Sequence, residues 1–400
     1  MEKDFVVVNA VADDPFAIDV AHYLGEHREI ADLISLKVFA NQEFCPRFIS
    51  DESDTAHIGH GLDGKTVVIV STCCGNESRN ALAMRTFLVA RAAKDNGAAD
   101  IVLVEPDLFY SAQDRGPRPE HGEVPFVRSV KDLKKFDGQP FSSLLYAQLL
   151  RASGIDHVVT VHNHSISVQR LFQREFAGRF CNLTPADLYC DYLLRHEINR
   201  QSRGAKGFLI CAPDAGAAPF AEEVYGRLCN SLSRYLLKPE IGLLLMRKSR
   251  SGERRVAISP SPDSPVQASE IRDRDVLVFD DMVRTGYTIM ECCKVLKEAG
   301  ARRVIFVVTH FYSSDEVKEN LNHPAIDEII TTNTLPQILN RDMQGRLRKK
   351  LLVLKIENWI ARFLQSDFTF PESSAASEPL YAIDISSKNP RWHPHDHLQE

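Results

Sequence analysis

Eleven short runs of β-branched and apolar residues, each trailed by a segment of helical period, constrain this 400-residue chain more than any other feature. They are FVVVNA from Phe5, ISLKVF from Ile34, TVVIVS from Thr66, DIVLVEP from Asp100, HVVTVH from His157, GFLICAP from Gly207, IGLLLM from Ile241, DVLVFDD from Asp275, RVIFVVTH from Arg303, EIITTN from Glu328 and LLVLKI from Leu351. A strand that is apolar without alternation must be covered on both faces, which is the mark of a parallel sheet flanked by helices. The expected fold class is α/β, in two similar domains, each a mostly parallel sheet with helices on its faces. Five or six such units precede about residue 170 and a similar number follow, so an internal duplication is expected. The 44% apolar content is enough for two cores of ordinary size.

Other classes are disfavoured. Runs such as VIFVV and GLLLM fall far short of the roughly 18 to 20 apolar residues that a spanning helix needs. The start MEKDFVVVNA lacks the order of a signal peptide, so a cytoplasmic protein without a membrane partner is expected. Nine scattered cysteines without a C-x-x-C fit reduced core thiols. A net charge of −6 argues against a general nucleic-acid binder.

Residues 59–66, GHGLDGKT, match G-x-x-x-x-G-K-[ST] in letters only. A phosphate-binding loop of that kind follows a strand and opens a helix, whereas here a polar segment precedes and the strand-like TVVIVS follows. The stretch is therefore expected to be a turn entering a strand. Two other segments, 114–139 and 248–274, are rich in charge, Ser, Pro and Gly and are expected to be long loops. After Phe370 periodicity is lost, and His393, His395 and His397 belong to an irregular tail, 371–400.

The most specific chemistry lies in VLVFDDMVRTGYT, Val276 to Thr288. A buried strand ends in Asp280 and Asp281 and turns through Arg284, Thr285, Gly286, Tyr287 and Thr288 into a helix. Consecutive backbone N–H groups at such a helix start, with the hydroxyls of Thr285 and Thr288, suit a phosphate, and the carboxylates suit ribose hydroxyls.

This stretch resembles the phosphoribosyl diphosphate loop of type I phosphoribosyltransferases, and the rest of the chain to about residue 365 resembles the ribose-phosphate diphosphokinases. FANQE (Phe39 to Glu43) looks like that family's F-x-D-G-E, and PDLFYSAQDR (Pro106 to Arg115) like P-Y-x-x-Y-A-R-Q-D-R. VHNHSISVQRLF resembles D-L-H-x-x-Q-I-Q-G-F-F, APDAGA resembles P-D-x-G-G, and RKSR resembles the catalytic K-x-R. VTHFYSS and TTNTLP resemble T-H-G-x-x-S and T-N-T-I-P. The resemblance implies a nucleotide-side domain over 1–172 and a domain over 173–370 that carries the sugar-phosphate and catalytic loops.

It also implies a reaction, the transfer of the β,γ-diphosphate of ATP to the 1-hydroxyl of ribose 5-phosphate with Mg2+, in a homo-oligomer. Lys248, Arg250 and His164 take the catalytic positions, and His164 with Asp214 the metal-contacting ones. Asn41, Glu43, Gln113, Asp114 and Arg115 take the nucleotide positions, and Asp280, Asp281 and Arg284 to Thr288 the ribose 5-phosphate positions. The sequence departs from the pattern at Ala112, Asn41-Gln42, His162-Asn163, Arg284 and Tyr287. Three of these changes fall on the nucleotide half, which leaves the donor open between ATP and another nucleoside triphosphate. A phosphoribosyltransferase or a catalytically silent regulatory homologue remains the alternative. Residues 116–139 form an insertion beside the nucleotide side.

Overall fold

The computed structural model describes residues 4–51, 53–75, 77–124, 126–197, 207–233, 240–251, 255–370 and 378–384. The chain forms two compact units, one of residues 1–183, 334–336 and 357–375, the other of residues 184–333, 337–356 and 376–400. The three tail histidines lie outside the described residues.

In the first unit, strand β1 (Phe5–Asn9) is followed by an antiparallel ribbon of β2 (Ile34–Val38) and β3 (Phe44–Phe48). Strands β4 (Thr66–Val70), β5 (Asp100–Val104), β6 (His157–Val161) and β7 (Phe180–Leu183) then extend from β1 in the order β1-β4-β5-β6-β7, all parallel. Every residue of β4 is buried, as its unbroken apolar run requires. The run from Ile34 is different. It pairs only with β3 and is largely exposed, because a strand outside the sheet is covered on one face at most. Helix Glu357–Gln365, near the C-terminal end, packs in this unit against helix Pro15–Leu24, and Gln365 donates to the Tyr23 carbonyl at 3.1 Å.

The second unit contains β8 (Phe208–Ala212), β9 (Ile241–Ser251), β10 (Arg255–Pro260), β11 (Asp275–Val283), β12 (Arg303–Phe311), β13 (Glu328–Thr332), β14 (Leu351–Lys355) and β15 (Ala382–Ile383). Their order is β10-β9-β8-β11-β12-β13-β14-β15, with β8, β9 and β11 to β14 parallel and antiparallel edges at β10 and β15. The expected loop over 248–274 is corrected at its start. The IGLLLM strand runs on to Ser251 and pairs back with β10, so Lys248 sits on a hairpin.

Both units run from a first strand through a hairpin to four further parallel strands, but the hairpin joins the sheet, beside β8, only in the second. Chain direction across the sheet reverses between β8 and β11. Ligands of open α/β sheets bind at the carboxyl ends of strands beside such a reversal.

GHGLDGKT is a turn. Gly59 has φ 78° and Gly64 has φ 75°, and Thr66 then begins β4. Both glycines thus occupy the left-handed region that favours that residue. All nine cysteines are free. Among the described residues no helix is long and apolar enough to cross a membrane.

Candidate active site

In the second unit the reversal point carries three carboxylates. Asp214 follows β8, and its Oδ1 accepts from the N–H groups of Gly216 (2.9 Å) and Ala217 (3.3 Å), which fixes it ahead of helix Ala218–Leu232. Asp280 and Asp281 lie within β11, which continues to Val283 beyond the expected strand end. Burial raises the pKa of Asp280 well above the usual carboxylate value, and the neighbouring charges of Asp281 and Asp214 raise it further. A site that crowds ionisable oxygens in this way gains from a cation or from hydroxyl donors.

The turn after β11 reaches helix Tyr287–Glu298 through Gly286 at φ 78°. A Cβ on Gly286 would lie 3.3 Å from Leu321 Cγ and Cδ2. Conformation and space therefore both select glycine there. Tyr287, at the position where the family pattern has glycine, is the first residue of the helix and keeps a negative φ. Its side chain is exposed and leaves the turn undistorted. No side chain caps this 12-residue helix, so its first N–H groups and the positive end of its dipole face outward. Asn320 Nδ2 donates to the Thr285 carbonyl at 2.7 Å and braces the turn from helix Asp315–Leu321. Nothing in DEVKENL marked Asn320 in the sequence, because its role depends on a neighbour 35 positions away.

Lys248 is exposed on β9, and its Nζ donates to Thr288 Oγ1 at 3.0 Å. The hairpin thus delivers a cation to the hydroxyl that opens the helix. Arg284 and Thr285 are exposed on the same turn. The backbone of Arg250 continues β9, and its side chain lies outside the described residues.

In the first unit Gln113, Asp114, Arg115 and His164 follow the carboxyl ends of β5 and β6. Tyr110 adopts a left-handed φ of 58° and His162 one of 49°. Strain of this kind clusters at functional loops. Asp114 Oδ2 accepts from Ser165 Oγ (2.9 Å), and its carbonyl accepts from Ser167 Oγ (2.9 Å). Ser165 also caps helix Ile166–Glu175 directly after the exposed His164. Gln113, Asp114, Arg115 and His164 are therefore brought onto one edge. The Gln113 carbonyl accepts from Ser143 Oγ at 3.0 Å. Asn41 and Glu43 sit on the exposed tip of the β2–β3 ribbon, where Glu43 N–H donates to Asn41 Oδ1 (3.2 Å) and Gln42 takes φ 71°. Their hydrogen bonds run within that tip. Among the described residues no group of three His, Cys, Asp or Glu side chains is arranged to hold a metal ion unaided.

Strand order, the carboxylates at the reversal and the open helix start after β11 define a duplicated type I phosphoribosyltransferase fold. Residues 7–154 match the N-terminal domain of ribose phosphate pyrophosphokinase, and residues 194–335 match the phosphoribosyl transferase domain. Ribose-phosphate pyrophosphokinase 4 of Saccharomyces cerevisiae is 26% identical over 333 residues, covering 82% of this chain and 88% of the yeast protein. The crystal structure of phosphoribosylpyrophosphate synthetase from Mycobacterium smegmatis superposes with a TM-score of 0.67 over 92% of this chain and 99% of that one, at 24% identity. The chain belongs to the ribose-phosphate pyrophosphokinase family and is an enzyme of that class.

Proposed function

We propose that the protein transfers the β,γ-diphosphate of ATP to the 1-hydroxyl of ribose 5-phosphate, giving 5-phosphoribosyl 1-diphosphate and AMP. The 1-hydroxyl oxygen bonds to the β-phosphorus as the bond from that phosphorus to the α,β-bridging oxygen breaks. AMP leaves with the electron pair, and the hydroxyl proton passes to solvent. The observation that carries this reading is the contact between Lys248 and Thr288, which sets a cationic side chain over a phosphate-accepting turn.

The turn from Arg284 to Thr288 binds the 5-phosphate through N–H groups, the Thr285 and Thr288 hydroxyls and the Arg284 guanidinium. Asp280 and Asp281 accept from ribose hydroxyls. Such transfer depends on position and charge compensation, and Lys248 and Arg250 supply charge to the diphosphate as it moves. Gln113, Asp114, Arg115 and His164 take the nucleotide, with Asn41 and Glu43 on the ribbon tip as further contacts.

Magnesium fits the oxygen donors here. It takes one or two carboxylates together with substrate phosphates and water, and does not require a protein cage. Asp214, whose charge acts on Asp280, is the residue that would hold it in the second unit, and His164, whose ring nitrogen is not an oxygen donor, would act in the first through a water or a phosphate. When bound, the ion neutralises charge on the diphosphate. A homo-oligomer and a cytoplasmic setting complete the reading. Leu145 and Leu149, exposed one turn apart on helix Ser142–Ser153, and nine free thiols support these two points.

Phosphorus NMR on the purified protein with ribose 5-phosphate, magnesium and each nucleoside triphosphate in turn tests the proposal. Diphosphate appearing on the sugar sustains it, and the ranking of donors identifies the nucleotide. Binding of ribose 5-phosphate with no transfer from any donor would sink it.

A further inference from the structure

The described residues of 116–139 are organised around Arg128 and the preceding Arg115. Arg128, with its side chain 3% exposed, donates from Nε to Asp132 Oδ2 (2.8 Å) and from Nη1 to the carbonyls of Arg118 (3.0 Å) and His121 (2.8 Å). Ser129 caps the short helix Val130–Lys134, which carries Asp132. The Phe136 ring contacts two guanidinium groups, its centroid 4.8 Å from that of Arg115 and 5.2 Å from that of Arg128. Glu123 pairs with Arg170 and Arg174, and its N–H donates to Ser167 Oγ, so the segment is tied to helix Ile166–Glu175. A region this rich in Pro, Gly and charge is expected to be a loop, yet it is fixed at both of these points.

The fixed point matters because of Arg115. Within the strip Gln113 to Arg115, the first two residues are held by the rest of the unit, through Ser143, Ser165 and Ser167. Arg115 is held by the insertion. Its Nη1 lies 3.6 Å from Asp132 Oδ1 and its guanidinium rests on Phe136, while Nε reaches Asp114 at 3.4 Å. These are loose ion pairs, longer than good charge-assisted hydrogen bonds of about 2.7–2.9 Å, so the edge donors of the fork stay available to a triphosphate. The planar group is oriented without being consumed.

We propose that Asp132 and Phe136 are positioning residues for the nucleotide donor: the insertion orients Arg115 before the donor arrives and thereby sets donor affinity. This rests on reading Gln113 to Arg115 as the nucleotide strip. Arginine loses considerable rotamer freedom when it is fixed, and a partner that orders it beforehand removes that cost from binding. Loss of the platform should therefore weaken donor binding without touching the sugar side.

The test is steady-state kinetics on the full chain, with donor and ribose 5-phosphate varied separately, for Phe136→Ala, Phe136→Leu, Phe136→Tyr and Asp132→Asn. Phe136→Ala is expected to raise KM for the donor by about three- to tenfold, the size of ordering one such side chain, with kcat and KM for ribose 5-phosphate unchanged. Phe136→Tyr should restore the parent value, and Phe136→Leu, which fills space but lacks the π face, should not. Asp132→Asn should also raise donor KM. An unchanged donor KM in both Phe136→Ala and Phe136→Leu overturns the inference. A lowered donor KM in Asp132→Asn also overturns it, because Asp132 would then be withholding Arg115 from an anionic ligand. If Phe136→Ala does not fold, Phe136→Leu and Asp132→Asn decide. Absence of turnover in the parent would count against the proposed reaction, whereas only the ratio of variant to parent bears on Asp132 and Phe136.

Discussion

Glu105 couples the stability of the first unit to pH. It ends the apolar run of β5 fully buried, where its carboxylate accepts from Tyr146 Oη (2.9 and 3.1 Å) and from the N–H of Phe109 (2.8 Å). It therefore pins the start of the turn that leads to Gln113, Asp114 and Arg115. Burial pushes its pKa up to about 7 from the ordinary 4.5, and the hydrogen bonds from Phe109, Tyr146 and Ser71 offset that only partly. Because the folded value lies above the unfolded one, the folded state holds the extra proton between these limits. The stabilisation is complete below pH 4.5 and is lost as the pH rises through about 7.

Glu105→Gln keeps an acceptor for Tyr146 and Phe109 and removes the titration. Linkage between those two pKa values gives a change of about 2–3 kcal/mol in the stability difference between parent and variant from about pH 5 to about pH 8, with the variant gaining. Urea unfolding at several pH values measures it. Trp359, 2% exposed, reports on the first unit, and Trp392→Phe in both proteins leaves it as the sole tryptophan. A difference that stays flat across that range would show that the burial of Glu105 carries no such proton linkage and refute the reasoning.

Gly286→Ala should lower the stability of the second unit by about 1–2 kcal/mol for the left-handed backbone alone, and weaken ribose 5-phosphate binding; calorimetric melting and titration of the sugar check both, and an unchanged melting temperature would contradict the loop geometry. Lys248→Ala should cut kcat by about 10²- to 10³-fold, as for loss of one charge-stabilising donor, while circular dichroism and melting remain those of the parent. Asp280→Asn relieves repulsion among Asp280, Asp281 and Asp214, so it is expected to raise stability by about 1 kcal/mol and abolish turnover, a trade typical of functional carboxylates; melting and turnover assays on the same preparation check it. Chelation of magnesium should stop transfer yet leave the far-ultraviolet spectrum intact.

The β11 turn was legible in the sequence because strand, acidic pair, glycine and helix start are consecutive and each is specified locally. Residue order alone placed Tyr287 where glycine is usual, and the helical φ explains why it is tolerated. The insertion was not legible in this way. Its fold depends on Arg128 finding the carbonyls of Arg118 and His121, and on Phe136 meeting Arg115, none of which leaves a periodic trace. Nor did β10 announce itself, since RVAISP is a strand only by pairing with β9.

By itself the sequence marked most of the buried strands and indicated parallel sheets in two similar halves, though it passed over β7 and counted the exposed run from Ile34 among them. These follow from apolar runs and turn chemistry, which act over a few residues. Only the tertiary structure decided that Lys248 reaches Thr288 across 40 positions, that helix Glu357–Gln365 joins the first unit, and that Glu105 lies in a medium of low polarity. Contacts of that range depend on which surfaces meet once the sheets have formed, and burial, with the pKa it imposes, is a property of all the surrounding chain at once.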